Sequence, residues 1–160
     1  MKSTTPLSFM AKFATLGPLG SLRPAPGTIG SLVAVIAGYA IASYGHGALI
    51  AATFIVTVIG VFAADAYAKA TGRKDPSEVI IDEVAGQWLT LIILPHDILW
   101  YAAGFALFRF FDILKPGPVR HAERLHGGIG VMADDLVAGA LAALCLALAG
   151  FALDTPFAVL

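Results

Sequence analysis

Three long stretches of this chain carry almost no charge, and that distribution limits its possible folds more than any other feature. Residues 29–64 contain no Asp, Glu, Lys or Arg in 36 positions. Residues 84–108 contain only Asp97 in 25 positions, and residues 136–160 only Asp154 in 25. Of 10 basic and 11 acidic residues, all but two acids are therefore confined to segments 1–28, 65–83 and 109–135. Lipid cannot hydrate an ionised side chain, so long charge-free runs read as helices that cross a bilayer. Composition points the same way: 13% of residues are charged, against about 25% in an average soluble domain. The mean hydropathy is +0.83. Such a chain is neither disordered nor a coiled coil, and a net charge of -1 gives nucleic acid nothing to bind. Its 160 residues form one domain, 1–160.

Turn residues divide the runs. Ser43-Tyr44-Gly45-His46-Gly47 interrupts the first and Pro95-His96-Asp97 the second, both compositions that reverse a chain. Each of these runs reads as a helical hairpin and the third as one helix. The expected fold is an all-α polytopic membrane bundle of about five helices. The arm from Ile80 to Leu94 is short: its 15 residues reach about 22 Å as a helix, less than the ~30 Å hydrocarbon core. That hairpin is expected either to thin the bilayer locally or to be re-entrant.

Hairpins place all three charged segments on one side. These hold Lys2, Lys12, Arg23, Lys69, Arg73, Lys74, Arg109, Lys115, Arg120 and Arg124, every basic residue of the chain. Positive charge beside helix ends stays cytoplasmic, so the charged face is expected to look into the cytoplasm. Gly17-Pro18 and Gly20 cut the apolar stretches near the N-terminus, and no cleavable signal peptide is read there. The single cysteine, Cys145, lies within the apolar stretch 142–148. It permits no internal disulfide and lacks the electropositive surroundings a thiolate nucleophile needs, so it is expected only to pack.

The chemistry-bearing residues fall in short motifs. Ile81-Asp82-Glu83-Val84-Ala85-Gly86 and Asp134-Asp135-Leu136-Val137-Ala138-Gly139 share an Asp four residues before a Gly that follows Ala. Positions i and i+4 lie on one helix face, and a glycine there admits a second backbone, as small residues do between membrane helices. Two helices can thus pack closely with carboxylates at one end of the seam. Helix-capping would account for one such acid. Two adjacent pairs abutting apolar spans favour a cation held by Asp82, Glu83, Asp134 and Asp135, and oxygen ligands without His or Cys suit Mg²⁺.

Arg109, Asp112 and Lys115 recur every third residue and share a helix face. Arg109 stands among Phe108, Phe110 and Phe111, at the expected membrane surface. There Arg offers a fork to phosphate and Lys a point charge. Pro116 and Pro118 end the helix. Arg120 and Arg124 follow and could touch anionic headgroups. Pro26-Gly27-Thr28-Ile29-Gly30-Ser31 is a glycine-rich entry to a helix, which can receive phosphate at Thr28 and Ser31, unless one of these is merely an N-cap. His46 and His96 lie in the outer turns and are assigned nothing.

Taken together, Pro-Gly-Thr-x-Gly-Ser (26–31), Ile-Asp-Glu-x-x-Gly (81–86), Phe-Arg-x-x-Asp-x-x-Lys-Pro-x-Pro (108–118) and Gly-Gly-x-Gly-x-Met-x-Asp-Asp-x-x-Ala-Gly (127–139) resemble the signatures of the bacterial phosphatidylglycerophosphatase A family, in order, over roughly residues 10–150. The resemblance implies a Mg²⁺-dependent phosphatase of the inner membrane that converts phosphatidylglycerophosphate to phosphatidylglycerol. The catalytic acids would be Asp82, Glu83, Asp112, Asp134 and Asp135, and the phosphate-binding residues Thr28, Ser31, Arg109, Lys115 and Arg120. Asp112 is left as ligand, general base or nucleophile. Other phosphatase signatures, Cys-x5-Arg and Asp-x-Asp-x-Thr, are missing, as is the Asp-Gly-x2-Ala-Arg of the CDP-alcohol phosphotransferases. A cation-coupled transporter is the rival from another class, but it would spread acids along the spans, whereas these gather at one end.

Overall fold

The computed structural model describes residues 8–154; Lys2 and segment 155–160 lie outside the described residues. Among them are seven α-helices, one 3-10 helix at Leu19–Ser21, and no strand. In chain order the helices are α1 (Phe9–Ala14), α2 (Pro26–Ala42), α3 (His46–Thr71), α4 (Ile81–Leu91), α5 (Ile98–Leu114), α6 (Gly117–Ala122) and α7 (Gly127–Ala152).

The five longer helices fall where the charge-free runs and their interrupting turns place them. Gly45, at φ 110°, takes a conformation open to glycine and strained for other residues, and turns α2 into α3. Asp97, the lone charge of the second run, caps α5: its Oδ1 accepts from the backbone N–H of Leu99 at 2.9 Å and of Trp100 at 3.2 Å. The outer turns are tied by the two histidines. His46 Nε2 meets Leu94 O at 3.1 Å and His96 Nε2 meets Tyr39 O at 2.9 Å.

Two helices, α3 and α7, are long and apolar enough to cross a membrane by length and composition. Only 33% of each apolar window is buried, so most of it faces outward, including Phe54, Ile55 and Phe62 of α3 and Leu144, Leu148 and Phe151 of α7. Cys145 is exposed on α7 instead of packed inside. Helix α2 is apolar but shorter at 17 residues. Helix α4 has 11 residues, about 16 Å, shorter still than its sequence run implies because the chain unwinds before Pro95.

Shortness suits the position of α4, which is the central helix. It packs against α2, α3, α5 and α7, and eight of its eleven residues are buried. Trp88 Nε1 donates to Ala34 O of α2 at 2.7 Å. Against α7 the approach is closer. A Cβ on Gly86 would lie 2.5 Å from Asp135 O and 2.7 Å from Phe108, and one on Gly139 would strike the carbonyl oxygen of Gly86. Thr90 Oγ1 reaches the carbonyls of both Gly86 (3.1 Å) and Gly139 (3.2 Å). This backbone-to-backbone crossing sets the positions of the acids.

Candidate active site

Asp82 and Glu83 occupy the first turn of α4, where a helix's positive end favours anions. Asp82 Oδ1 accepts from Glu83 N–H at 3.1 Å, so part of its role is local capping. Asp134 and Asp135 stand differently. Helix α7 begins at Gly127, about two turns earlier, so no cap or dipole accounts for them. They are carried inward along α7 and set against α4 by the Gly86–Gly139 crossing.

The crossing brings Asp82, Glu83 and Asp135 together, with one carboxylate oxygen from each within 4.8 Å of the others. Asp82 and Asp135 are buried, and Glu83 Oε2 is buried with no hydrogen-bond partner. Three carboxylates at this spacing repel one another unless protons or a cation intervene. An orphaned carboxylate oxygen, an all-oxygen donor set and this span fit one hard divalent cation.

Asp134 lies apart from these three. Its Oδ2 accepts from Lys115 Nζ at 2.8 Å, and the same ammonium reaches Glu123 Oε1 at 3.0 Å. Lys115 ends α5 with φ 45°, an uncommon conformation for a side-chain-bearing residue. Burial works against the ammonium, but the hydrogen bonds it donates to Asp134 and Glu123 outweigh it and raise its pKa above the ordinary lysine value. Its stabilising contribution is therefore complete at neutral pH and is lost only as strong alkali passes the raised value. Lys115→Met is expected to leave Asp134 buried and unpaired and to destabilise the fold by about 1–3 kcal/mol, measured as a lowered Tm at pH 7. An unchanged Tm would mean the pair contributes nothing.

Arg109 forms an ion pair with Asp112 one turn away on α5 (2.5 Å), and its Nη1 donates to Ser31 Oγ at 3.4 Å. Asp112 lines the same cavity as Asp135 and Glu83. The Nε of Arg109 is buried without a partner. Gly27 brings the start of α2 against this group: a Cβ there would strike Glu83 Oε1 and come within 3.3 Å of Arg109 Nη1. A cavity of about 280 Å³ collects these parts, lined by Gly27, Thr28, Asp82, Glu83, Arg109, Asp112, Lys115, Asp134 and Asp135.

Thr28 lines this cavity, but neither Thr28 nor Ser31 caps α2. The N-cap is Ala25 with no side-chain bond, Pro26 opens the helix, and Ser31 Oγ donates to Gly27 O at 2.9 Å. Ser31 is fully buried and meets the cavity through Arg109. Arg120 is not brought in; it sits exposed on α6.

Some contributors escaped sequence reasoning. Asp75 and Ser77 also line the cavity, supplied by the α3–α4 connection. Asp65 Oδ1 accepts from Gly128 N–H at 3.3 Å while Lys69 holds its other oxygen at 2.6 Å, fastening the start of α7 to α3. Gln87, one turn beyond Glu83, is wholly buried with neither amide atom paired. A buried, unpaired amide is costly, and Gln87→Leu is expected to raise Tm by a few degrees. A fall in Tm would show that Gln87 is satisfied in solution.

Fold and site define a class: an all-helical, outwardly apolar bundle whose acids and bases converge in one cavity at one end. Comparison with known proteins identifies the family within that class. Residues 12–150 match the family described as Phosphatidylglycerophosphatase A. The Phosphatidylglycerophosphatase A of Escherichia coli K12 is 40% identical over 120 residues, covering 74% of this chain and 70% of that protein. The protein of the same name from Haemophilus influenzae Rd is 38% identical over 122 residues, 74% and 75% of the two chains. A Bacteroides thetaiotaomicron protein named for a phosphatidylinositol-3-phosphatase is 41% identical over 133 residues, 78% and 83%. No solved structure matches. The chain belongs to the phosphatidylglycerophosphatase A family.

Proposed function

We propose that this protein hydrolyses the terminal phosphate monoester of phosphatidylglycerophosphate, giving phosphatidylglycerol and inorganic phosphate, with Mg²⁺ as cofactor. The observation that carries the proposal is the convergence of Asp82, Glu83 and Asp135 across the α4–α7 crossing, in one cavity with Arg109 and Lys115. Family membership supports the substrate.

The bundle sits in the bacterial inner membrane. An exterior as apolar as that of α3 and α7 is unsuited to water. These two helices cross the bilayer, and α2, α4 and α5 complete a set of about five membrane helices as shorter elements. Basic residues gather at the site end, which faces the cytoplasm.

Asp82, Glu83 and Asp135 would hold the cation, which when bound offsets phosphoryl charge and makes water more acidic. Arg109 presents its guanidinium to the phosphate oxygens. The positive ends of α2 and α4 face the same cavity and favour the dianion. Asp112 orients Arg109 through their ion pair and, in the same cavity as Asp135, is placed to accept the proton of the attacking water. Water adds to phosphorus, the P–O bond to the glycerol headgroup breaks, and the leaving oxygen takes up a proton. Lys115 holds Asp134 by their ion pair, apart from the three acids.

Asp112→Asn is expected to lower kcat by at least ~100-fold with little change in KM. An unaltered kcat would remove Asp112 from the proton path. The primary test is phosphate release by purified protein in detergent, from phosphatidylglycerophosphate and separately from phosphatidylinositol 3-phosphate, with Mg²⁺ or EDTA. Mg²⁺-dependent release from the first supports the proposal. Release only from the second reassigns the headgroup, and release from neither overturns phosphatase activity.

A further inference from the structure

On the α2–α5 side, the site ends at Ser31 and Arg109. Directly beyond them a groove of about 290 Å³ runs along the bundle surface between the two helices, lined by Leu32, Ile36 and Tyr39 from α2 and by Tyr101, Ala102 and Phe105 from α5. Leu32 follows Ser31 in the chain, and Phe105 stands one turn before Arg109, which places the near end of the groove beside the Ser31–Arg109 contact. Leu32 to Tyr39 spans about 10 Å of helix. Aromatic rings gather toward its far end: Tyr39 stacks on His96 at 4.0 Å and meets Tyr101 edge-on at 5.2 Å. The groove is thus apolar, runs along the two helices, and starts one residue beyond Ser31 and one turn from Arg109.

Other cavities beside the site have a different character. One is lined by Lys74, Asp75, Glu123 and Arg124, and another by Arg23, Ser77 and Glu78. Neither could desolvate a hydrocarbon chain without burying charge. A phospholipid whose phosphate is held at Arg109 must send its chains away from the cavity, and the α2–α5 groove provides an uncharged course toward the middle of the bundle.

We propose that this groove is an acyl-chain subsite, holding one fatty-acyl chain of the phospholipid whose phosphate monoester occupies the site. The inference rests on the proposed lipid-phosphatase activity and extends it to how substrate is taken from surrounding lipid.

Ala102 and Ile36 face outward, so Ala102→Trp and Ile36→Trp can fill the groove without entering the core. Phe62→Trp, on the exposed face of α3, controls for a general effect on lipid contact. Turnover would be compared on dioleoyl phosphatidylglycerophosphate and on its chain-free analogue, glycerophosphoglycerophosphate. The ratio of kcat/KM for the long-chain over the chain-free substrate is expected to fall at least tenfold in both groove variants, chiefly through KM, and not in Phe62→Trp. An unchanged ratio, or an equal fall in the control, overturns the subsite.

A binding measurement separates this from failure of the activity itself. By native mass spectrometry in EDTA, the parent protein should retain dioleoyl phosphatidylglycerophosphate in preference to dioleoyl phosphatidylcholine, and Ala102→Trp should lose that preference. Equal retention by parent and variant overturns the groove whether or not the parent turns over.

Discussion

Asp135→Asn is expected to reduce Mg²⁺-dependent phosphate release by about three orders of magnitude while leaving the helical circular dichroism intact. Asparagine has the shape of aspartate but no charge, so the α4–α7 crossing survives and the oxygen cluster loses one of three anionic ligands. Asp82→Asn should behave alike, because Asp82 and Asp135 are the two buried members of the cluster. A second readout distinguishes lost function from lost structure. In EDTA, where the three carboxylates repel without compensation, Asp135→Asn should melt higher than the parent, and added Mg²⁺ should raise its Tm less. Asp134→Asn provides the contrast, since its carboxylate is engaged by Lys115. Its activity should fall by only about tenfold. If Asp134→Asn proves as damaging as Asp135→Asn, the cation site includes both aspartates of the pair. If Asp135→Asn retains full activity, the three carboxylates are not the metal site.

Gly139→Ala is expected to damage fold and activity together, because it adds a methyl at the crossing that assembles the site. The new Cβ would collide with the carbonyl oxygen of Gly86, and because both sides of the contact are backbone, no rotamer change relieves it. Separating α4 from α7 costs about 3 kcal/mol or more, breaks the Thr90 bridge to both carbonyls, and moves Asp135 away from Asp82. Gly139→Ala should therefore lower Tm by several degrees and abolish activity together, with Gly86→Ala similar. Gly47→Ala, where an added Cβ meets nothing within 4 Å, should leave both unchanged. Thermal melts and phosphate release on the same preparations check this; full activity in Gly139→Ala would mean the crossing is not what assembles the site.

Much of this is legible in the sequence. The charge-free runs and their interrupting turns located the five longer helices, because an unbroken apolar run has few ways to satisfy its backbone other than as helix. The repeated Asp-x-x-Ala-Gly spacing indicated two helices meeting with carboxylates at one end, because i and i+4 share a face whatever the surroundings. Other features had no local signal. Asp134 and Asp135 are neighbours of the same type, yet successive helix positions point about 100° apart, so one joins Asp82 and Glu83 while the other faces Lys115. Which does which depends on how α7 is rotated against α4 and α5. Ser31 and Arg109 lie 78 residues apart, and their contact follows only from α2 packing beside α5. Asp65 fastens α7 from within an apolar helix, and no motif marks it.

Sequence alone determined the helical class, the end of the bundle where charge collects, and the acids and bases available there. Each follows from how side chains partition between lipid and water and from the fixed period of a helix. Tertiary structure decided the membership of the carboxylate cluster, the pairing of Lys115 with Asp134, and the apolar groove that leads away from Arg109. These depend on how helices rotate and approach one another, which is set by steric contact between residues far apart in the chain, here above all by Gly86 and Gly139.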